Sequence, residues 1–182
     1  MNLNKNLDNY FLILFSVIPI TIIVGSAISL VNIILIDLSF IILMIYKKNF
    51  NFLKNKKIIY FLILYIYLIF NSFISIDYSE GVLRNLGFLR IIILFAAFNY
   101  FFRDEGFFKK VITFWSIIIS IVLVDVFIES FFGKNILGFG ELYGKRVVSF
   151  FKDEPIVGGF LNGFYLIIVG FLLNELKYSK NY

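Results

Sequence analysis

The sequence contains neither cysteine nor histidine among its 182 residues. The missing thiol excludes disulfide bonds, thiolate nucleophiles and cysteine-ligated metals. The missing imidazole removes the commonest general base and the commonest transition-metal ligand. Any catalysis would therefore depend on Asp, Glu, Lys, Arg, Tyr or Ser, and we expect no metal site and no cofactor.

Charged residues are also scarce, at 16%, whereas hydrophobic residues make up 60% of the chain and aromatic residues 20%. A soluble domain is typically about 45–50% apolar and about 25% charged. Disordered chains are poor in aromatic and branched aliphatic residues. The composition therefore predicts an integral membrane protein. In a membrane protein, basic residues mainly determine how the chain is oriented across the membrane. We therefore do not take the net charge of +5 as a sign of nucleic-acid binding, and we expect no nucleic-acid partner.

Six apolar stretches approach the length of about 20 residues that a helix needs to cross a bilayer. The first two form one run from Tyr10 to Tyr46, which we divide at Gly25-Ser26-Ala27. The predicted spans are residues 10–24, 28–46, 58–76, 86–102, 111–132 and 158–173, and the longest connection is 133–157. The sequence thus predicts an all-α bundle of about six transmembrane helices, forming a single transmembrane domain over residues 1–182.

The cations are distributed unequally between the two sides of this bundle. Eleven of the seventeen fall on the side of the termini: Lys5, the five lysines of 47–57, Arg103, Lys109, Lys110, Lys177 and Lys180. The other six are Arg84, Arg90, Lys134, Lys145, Arg146 and Lys152. Because cytoplasmic loops carry the excess of Lys and Arg, we predict cytoplasmic termini and an outer connection at 133–157.

Three acidic residues lie within predicted spans. Asp37 falls near the middle of the second span, where a carboxylate costs at least about 2.5–3.5 kcal/mol. We favour a hydrogen bond from Asn, Ser or Thr on a neighbouring helix over a proton relay, because a relay would need a chain of such groups. Asp125 and Glu129 are four residues apart, so they share one helix face. They form either a general base or ligand-binding pair, or salt bridges to outer cations such as Arg84, Arg90 or Lys134.

The outer connection carries the most informative pattern. Its matching positions are Arg146, Phe151, Asp153 and Gly158. This arrangement resembles a signature of the O-antigen ligase and polysaccharide polymerase superfamily, in which an outer Arg precedes a small residue, Phe, Asn or Asp, and then Gly heading the next helix. Ser149 stands where glycine is commoner, and Glu154 where proline is commoner. The segment from Ser79 through Arg84 to Arg90 is similar to a second family segment.

The resemblance implies transfer or polymerisation of a glycan carried on isoprenoid pyrophosphate, at the outer face of the inner (plasma) membrane. The implied partners are the bilayer and a lipid-linked oligosaccharide. Candidate ligands for the pyrophosphate or glycan are Arg146, Lys145, Arg84 and Arg90, and the acidic candidates are Asp125, Glu129 and Asp153. Fixed guanidinium groups would stabilise the charge that develops on the leaving pyrophosphate.

The resemblance covers only the N-terminal part of the family fold. The later half, which holds the catalytic histidine of the family, is missing from this sequence. We therefore assign no catalytic residue, expect the chain to be inactive alone, and regard a C-terminal half as a further partner.

Two other classes of function remain open. A small six-helix substrate-binding subunit of a membrane transporter has a similar size, and it would place small residues at its helix contacts, although Gly and Ala are scarce in these spans. A noncatalytic membrane scaffold would need no site.

Overall fold

The computed structural model describes residues 3–75, 78–140, 146–152 and 156–179. The structure is 84% helical, and it contains no strand within the described residues. The helices are α1 (Leu3–Ser16), α2 (Ile18–Val24), α3 (Ser26–Tyr46), α4 (Lys56–Ile74), α5 (Tyr78–Leu86), α6 (Phe88–Phe101), α7 (Glu105–Phe132) and α8 (Val157–Ser179). Within the described residues, short 3₁₀ helices occupy Asn51–Lys54 and Ser149–Phe151.

Five helical stretches are long and apolar enough to cross a membrane: Asn6–Val24, Ser26–Tyr46, Lys56–Ile74, Tyr78–Phe101 and Glu105–Phe132. A sixth helix, α8, has a shorter apolar stretch over Val157–Leu173. Large apolar side chains such as Ile42 and Ile66 are exposed on these helices, as expected where lipid rather than water surrounds them. The predicted all-α multi-pass membrane fold is therefore confirmed.

The fourth span begins earlier than the predicted residue 86. Helix α5 already starts at Tyr78, and α6 follows after a single residue, Gly87. The polar residues of α5 favour a helix because Glu80 lies in its first turn and Arg84 in its last turn, where each charge complements the helix dipole. The polar segment before residue 86 is thus helical, and polarity alone did not indicate this.

Gly25 separates the first two spans, as the sequence predicts. Its φ of +148° is a backbone conformation that side-chain-bearing residues rarely adopt. Its N–H donates to Thr21 O at 3.2 Å and its carbonyl accepts from Ser29 N at 3.0 Å. The last turn of α2 and the first turn of α3 therefore meet at this one residue.

The chain forms two compact units, the first from residues 1–29 and 109–182 and the second from residues 30–108. In the first unit, a row of aromatic rings runs from the 3₁₀ helix to α7. Phe151 packs against Phe160 at 5.1 Å between ring centroids, Phe160 against Phe164 at 4.9 Å, and Phe164 against Trp115 at 5.1 Å. This row connects the α7–α8 loop to the apolar interior of the unit.

Pro19 removes one backbone hydrogen bond from the first unit, and Trp115 supplies a donor in its place. Proline has no N–H, so the carbonyl of Phe15, four residues earlier, cannot receive its usual helical hydrogen bond from residue 19. The indole Nε1 of Trp115 donates to Phe15 O at 2.9 Å instead. This bond ties α7 to the end of α1.

In the second unit, α4 and α5 form a helical hairpin. The side-chain amide of Asn85 donates to the Leu68 carbonyl at 3.1 Å and also to the Ser72 hydroxyl. Gly81 faces this contact, because a Cβ there would lie 3.3 Å from Ser75 Oγ. A small residue at position 81 therefore allows the two helices to approach closely.

Candidate functional site

A buried, hydrogen-bonded polar cluster of the first unit lies where the α7–α8 loop meets α7. Asp125 and Glu129 are 0% and 4% exposed, one helical turn apart. Two buried carboxylates at this spacing need donors or a counter-charge. The structure shows which groups supply them.

Glu129 binds the backbone of the loop. Its Oε1 accepts from the N–H of Val148 at 2.9 Å, and its Oε2 accepts from the N–H of Ser149 at 2.6 Å. Val148 adopts a φ of −111° and a ψ of −25°, which turns its own amide and that of Ser149 toward the same carboxylate. A carboxylate that accepts backbone N–H bonds is a strong, charge-assisted acceptor.

Asp125 binds the same loop from two directions. Its Oδ1 accepts from the N–H of Ile136 at 2.9 Å, and its Oδ2 accepts from the hydroxyl of Ser149 at 2.6 Å. All four carboxylate oxygens of Asp125 and Glu129 therefore hold a neutral donor from the loop. The two residues share one helix face, as predicted, and each of these four bonds comes from the loop.

Asn135 organises the beginning of the loop. Its Oδ1 accepts from the N–H groups of Leu137 at 3.0 Å and Phe139 at 2.7 Å, and its amide donates to the Ser149 carbonyl. Sequence reasoning missed this residue, although an Asn three residues before Gly138 is a typical turn signal. Gly138 has the positive φ, +85°, that such a turn uses.

Gly140 lies directly over the Glu129 carboxylate. A Cβ at this position would come within 2.8 Å of Glu129 Oε1 and 2.9 Å of the Gly133 carbonyl. The φ of Gly140 is +127°, so both space and backbone conformation require glycine here. We refer to residues 133–140 and 146–151, held by Asp125 and Glu129, as the anchored loop.

Arg146 is an exposed residue two positions before the first anchored amide, that of Val148. The structure records no hydrogen bond or ion pair from its guanidinium to any other described residue. Lys145 and Asp153, which the sequence groups with it, lie outside the described residues. The site therefore combines an exposed arginine with a neighbouring backbone segment that two buried carboxylates hold.

Arg84 and Arg90 belong to the second unit, where both are exposed. Arg90 exerts an electrostatic attraction on Asp37 in the same unit. Asp37 is 5% exposed, and neither of its carboxylate oxygens has a hydrogen-bond partner among the described residues. The predicted hydrogen bond from Asn, Ser or Thr to Asp37 is therefore absent from that part of the chain.

Within the described residues, Asp125, Glu129 and the segment around Arg146 belong to the first unit. Arg84 and Arg90 belong to the second unit. Each carboxylate oxygen of Asp125 and Glu129 accepts a hydrogen bond from the loop. Fold and site together define a helical multi-pass membrane protein with an anchored loop that carries a cation. No family model matches the chain, and no curated protein or solved structure gives a match.

Proposed function

We propose that this chain is an O-antigen ligase- or polymerase-like membrane protein of the inner (plasma) membrane. It binds an isoprenoid-pyrophosphate-linked glycan at the outer membrane face, and Arg146 contacts the pyrophosphate. The observation that carries the proposal is the position of Arg146, beside a backbone segment held by two buried carboxylates.

Anchoring matters for this chemistry because a positioned cation stabilises a pyrophosphate better than one on a mobile chain. The Val148 and Ser149 amides are fixed on Glu129, so the backbone two residues before them starts from a restricted position. The guanidinium carried by this backbone offers bidentate geometry to phosphate oxygens, which an ammonium cannot reproduce.

The backbone conformation of Ser149 supports the proposal. Glycine is commoner there in the family pattern, and the φ of +50° at Ser149 is one that glycine adopts without steric cost. Serine adds a hydroxyl that donates to Asp125 at 2.6 Å. The departure from the pattern therefore keeps the backbone shape that the pattern implies.

The proposed orientation places both termini in the cytoplasm and the anchored loop outside. A cysteine replacing Leu137, which is 61% exposed, should react with an impermeant maleimide in intact cells. A cysteine replacing Asn51 in the loop after α3 should react only after permeabilisation. Gly140 is unsuitable for this labelling because it has no room for a Cβ. The reverse labelling pattern would contradict the orientation and the outer site with it.

The chain alone is proposed to bind the lipid-linked glycan without transferring it. No histidine is available as a base, and the acidic pair is engaged in anchoring the loop. A second polypeptide or segment resembling the later half of the family would supply the catalytic groups.

The test is binding of undecaprenyl pyrophosphate to the purified 182-residue chain in phosphatidylcholine nanodiscs. Arg146→Gln should weaken binding by tenfold or more, since a hydrogen bond to a charged group contributes about 1.5–3 kcal/mol. Arg103→Gln, another exposed arginine, is the matched control and should bind like the wild type. Equal binding by all three proteins would contradict the role of Arg146 and favour a transporter subunit or a scaffold.

A further inference from the structure

The first unit contains a cavity of about 360 Å³ between the α2–α3 turn and the end of the anchored loop. This volume is an order of magnitude above the share of about 30 Å³ that one water molecule takes in the liquid. The cavity can therefore hold part of an organic molecule.

The lining of the cavity has two chemically different sides. Ile22, Ile23 and Phe151 contribute apolar surface, whereas Ser26, Ser29 and Lys152 contribute two hydroxyls and one ammonium group. The apolar residues of α2 end a stretch long enough to cross the membrane, Asn6–Val24. The cavity thus passes from hydrocarbon-like surface to polar surface at the end of a membrane-spanning helix.

Lys152 is the charged group of this lining. It is exposed, and the structure records no ion pair between its ammonium and a carboxylate of the described residues. The hydroxyls of Ser26 and Ser29 likewise have no recorded partner in that part of the chain. One cation and two available donors beside an apolar wall match an anion that is attached to a hydrocarbon chain.

The surroundings of Lys152 restrict where its side chain starts. Lys152 follows directly on the 3₁₀ helix Ser149–Phe151, whose first residue is bound by both anchoring carboxylates. The ring of Phe151 packs edge-on against Phe160 at 5.1 Å. One wall of the cavity is therefore the turn at Gly25. The other wall is the segment that follows Ser149, which Asp125 and Glu129 hold in place.

We propose that this cavity binds a lipid phosphate, a phosphate ester with a hydrocarbon chain. Lys152 and the hydroxyls of Ser26 and Ser29 bind the phosphate oxygens, and the apolar side receives the first part of the chain. The assignment rests on the proposed function insofar as an isoprenoid pyrophosphate is such a molecule. It places a phosphate contact at Lys152, in addition to the one at Arg146.

The experiment measures binding to the full chain in phosphatidylcholine nanodiscs with farnesyl phosphate as the probe. Farnesol tests the chain without the phosphate, and inorganic phosphate tests the phosphate without the chain. Saturable binding of farnesyl phosphate that neither farnesol nor inorganic phosphate reproduces supports the proposal. Lysophosphatidic acid identifies the source: tighter binding of farnesyl phosphate indicates an isoprenoid ligand, and tighter binding of lysophosphatidic acid indicates a glycerophospholipid headgroup.

The charge of Lys152 is tested with three variants. Lys152→Gln should weaken farnesyl phosphate binding by tenfold or more, and Lys152→Arg should retain most of it because the charge is kept. Lys110→Gln removes an exposed cation of α7 and should have no effect. Folding is checked by the melting temperature without ligand. Unchanged binding by a folded Lys152→Gln chain would overturn the proposal.

The two proposals fail separately. If Lys152→Gln weakens farnesyl phosphate binding while Arg146→Gln leaves undecaprenyl pyrophosphate binding unchanged, the cavity assignment holds and the role of Arg146 is wrong. If Arg146→Gln alone has an effect, the cavity assignment is wrong and the proposed function is retained.

Discussion

The hydrogen bond from Trp115 to the Phe15 carbonyl makes a sharp prediction about stability. Both residues are buried, Trp115 at 3% exposure and Phe15 at 0%, so no water can replace a lost donor at this carbonyl. Trp115→Phe removes the indole N–H and with it the 2.9 Å hydrogen bond to Phe15 O. Loss of a donor to a buried acceptor costs about 1–3 kcal/mol, and the smaller ring adds a packing cost.

The two costs can be separated because Pro19 is the reason that the carbonyl needs Trp115. Pro19→Ala restores an N–H at residue 19 that can donate to Phe15 O in the ordinary helical pattern. In that background Trp115→Phe should incur only the packing cost. The coupling free energy between the two substitutions should therefore be about 1–3 kcal/mol.

The assay is reversible unfolding of the wild type, both single variants and the double variant in mixed micelles, followed by far-UV circular dichroism. Phe164→Leu serves as the control, because it removes the 5.1 Å ring contact with Trp115 without touching the hydrogen bond. Its effect should simply add to that of Pro19→Ala. If the effects of Trp115→Phe and Pro19→Ala add within about 0.5 kcal/mol, the inference that Trp115 supplies the donor missing at Pro19 is refuted.

The other predictions concern the carboxylates and the anchored loop. Ser149→Ala should lower the free energy of unfolding by about 1.5–3 kcal/mol, because Asp125 loses a donor, and Ser149→Gly should cost less because glycine favours the φ of +50°; equal costs would exclude the backbone contribution. Gly140→Ala should increase proteolysis of the loop, since its Cβ would meet Glu129 Oε1 at 2.8 Å; an unchanged cleavage rate would contradict this. Asp37→Asn should raise the unfolding free energy and Asp125→Asn should lower it, because of these two carboxylates Asp125 alone accepts hydrogen bonds from described residues; a loss of stability in Asp37→Asn would reveal a partner for that carboxylate.

The membrane helices could be predicted from the sequence because their main determinant is the length of an apolar run. Gly25 could be placed as the boundary of the first two spans because it interrupts such a run, and its φ of +148° explains the choice of residue. The helix α5 could not be predicted in this way. Its nine residues are polar enough to suggest a connection, whereas charge placement within Tyr78–Leu86 favours a helix.

The candidate site could be predicted only in part. Spacing places Asp125 and Glu129 on one face of α7, but spacing cannot show what lies opposite that face. The partners are mainly backbone amides, and every residue except proline carries one. Which amides point at the carboxylates depends on the backbone conformation of Val148 and Ser149 and on the close approach of Gly140. These are properties of the folded backbone, and no residue type in the sequence identifies them.

The use of neutral donors has a consequence for the cations of the loop. Two carboxylates one turn apart repel each other, and salt bridges would be one way to offset that repulsion. Here each oxygen is instead held by an N–H or O–H dipole, which satisfies the carboxylates without requiring a cation. Arg146 and Lys152 consequently do not have to balance the acidic pair. Both proposed anion contacts depend on this arrangement, in which neutral donors bind the two carboxylates and Arg146 and Lys152 are left to bind an anion.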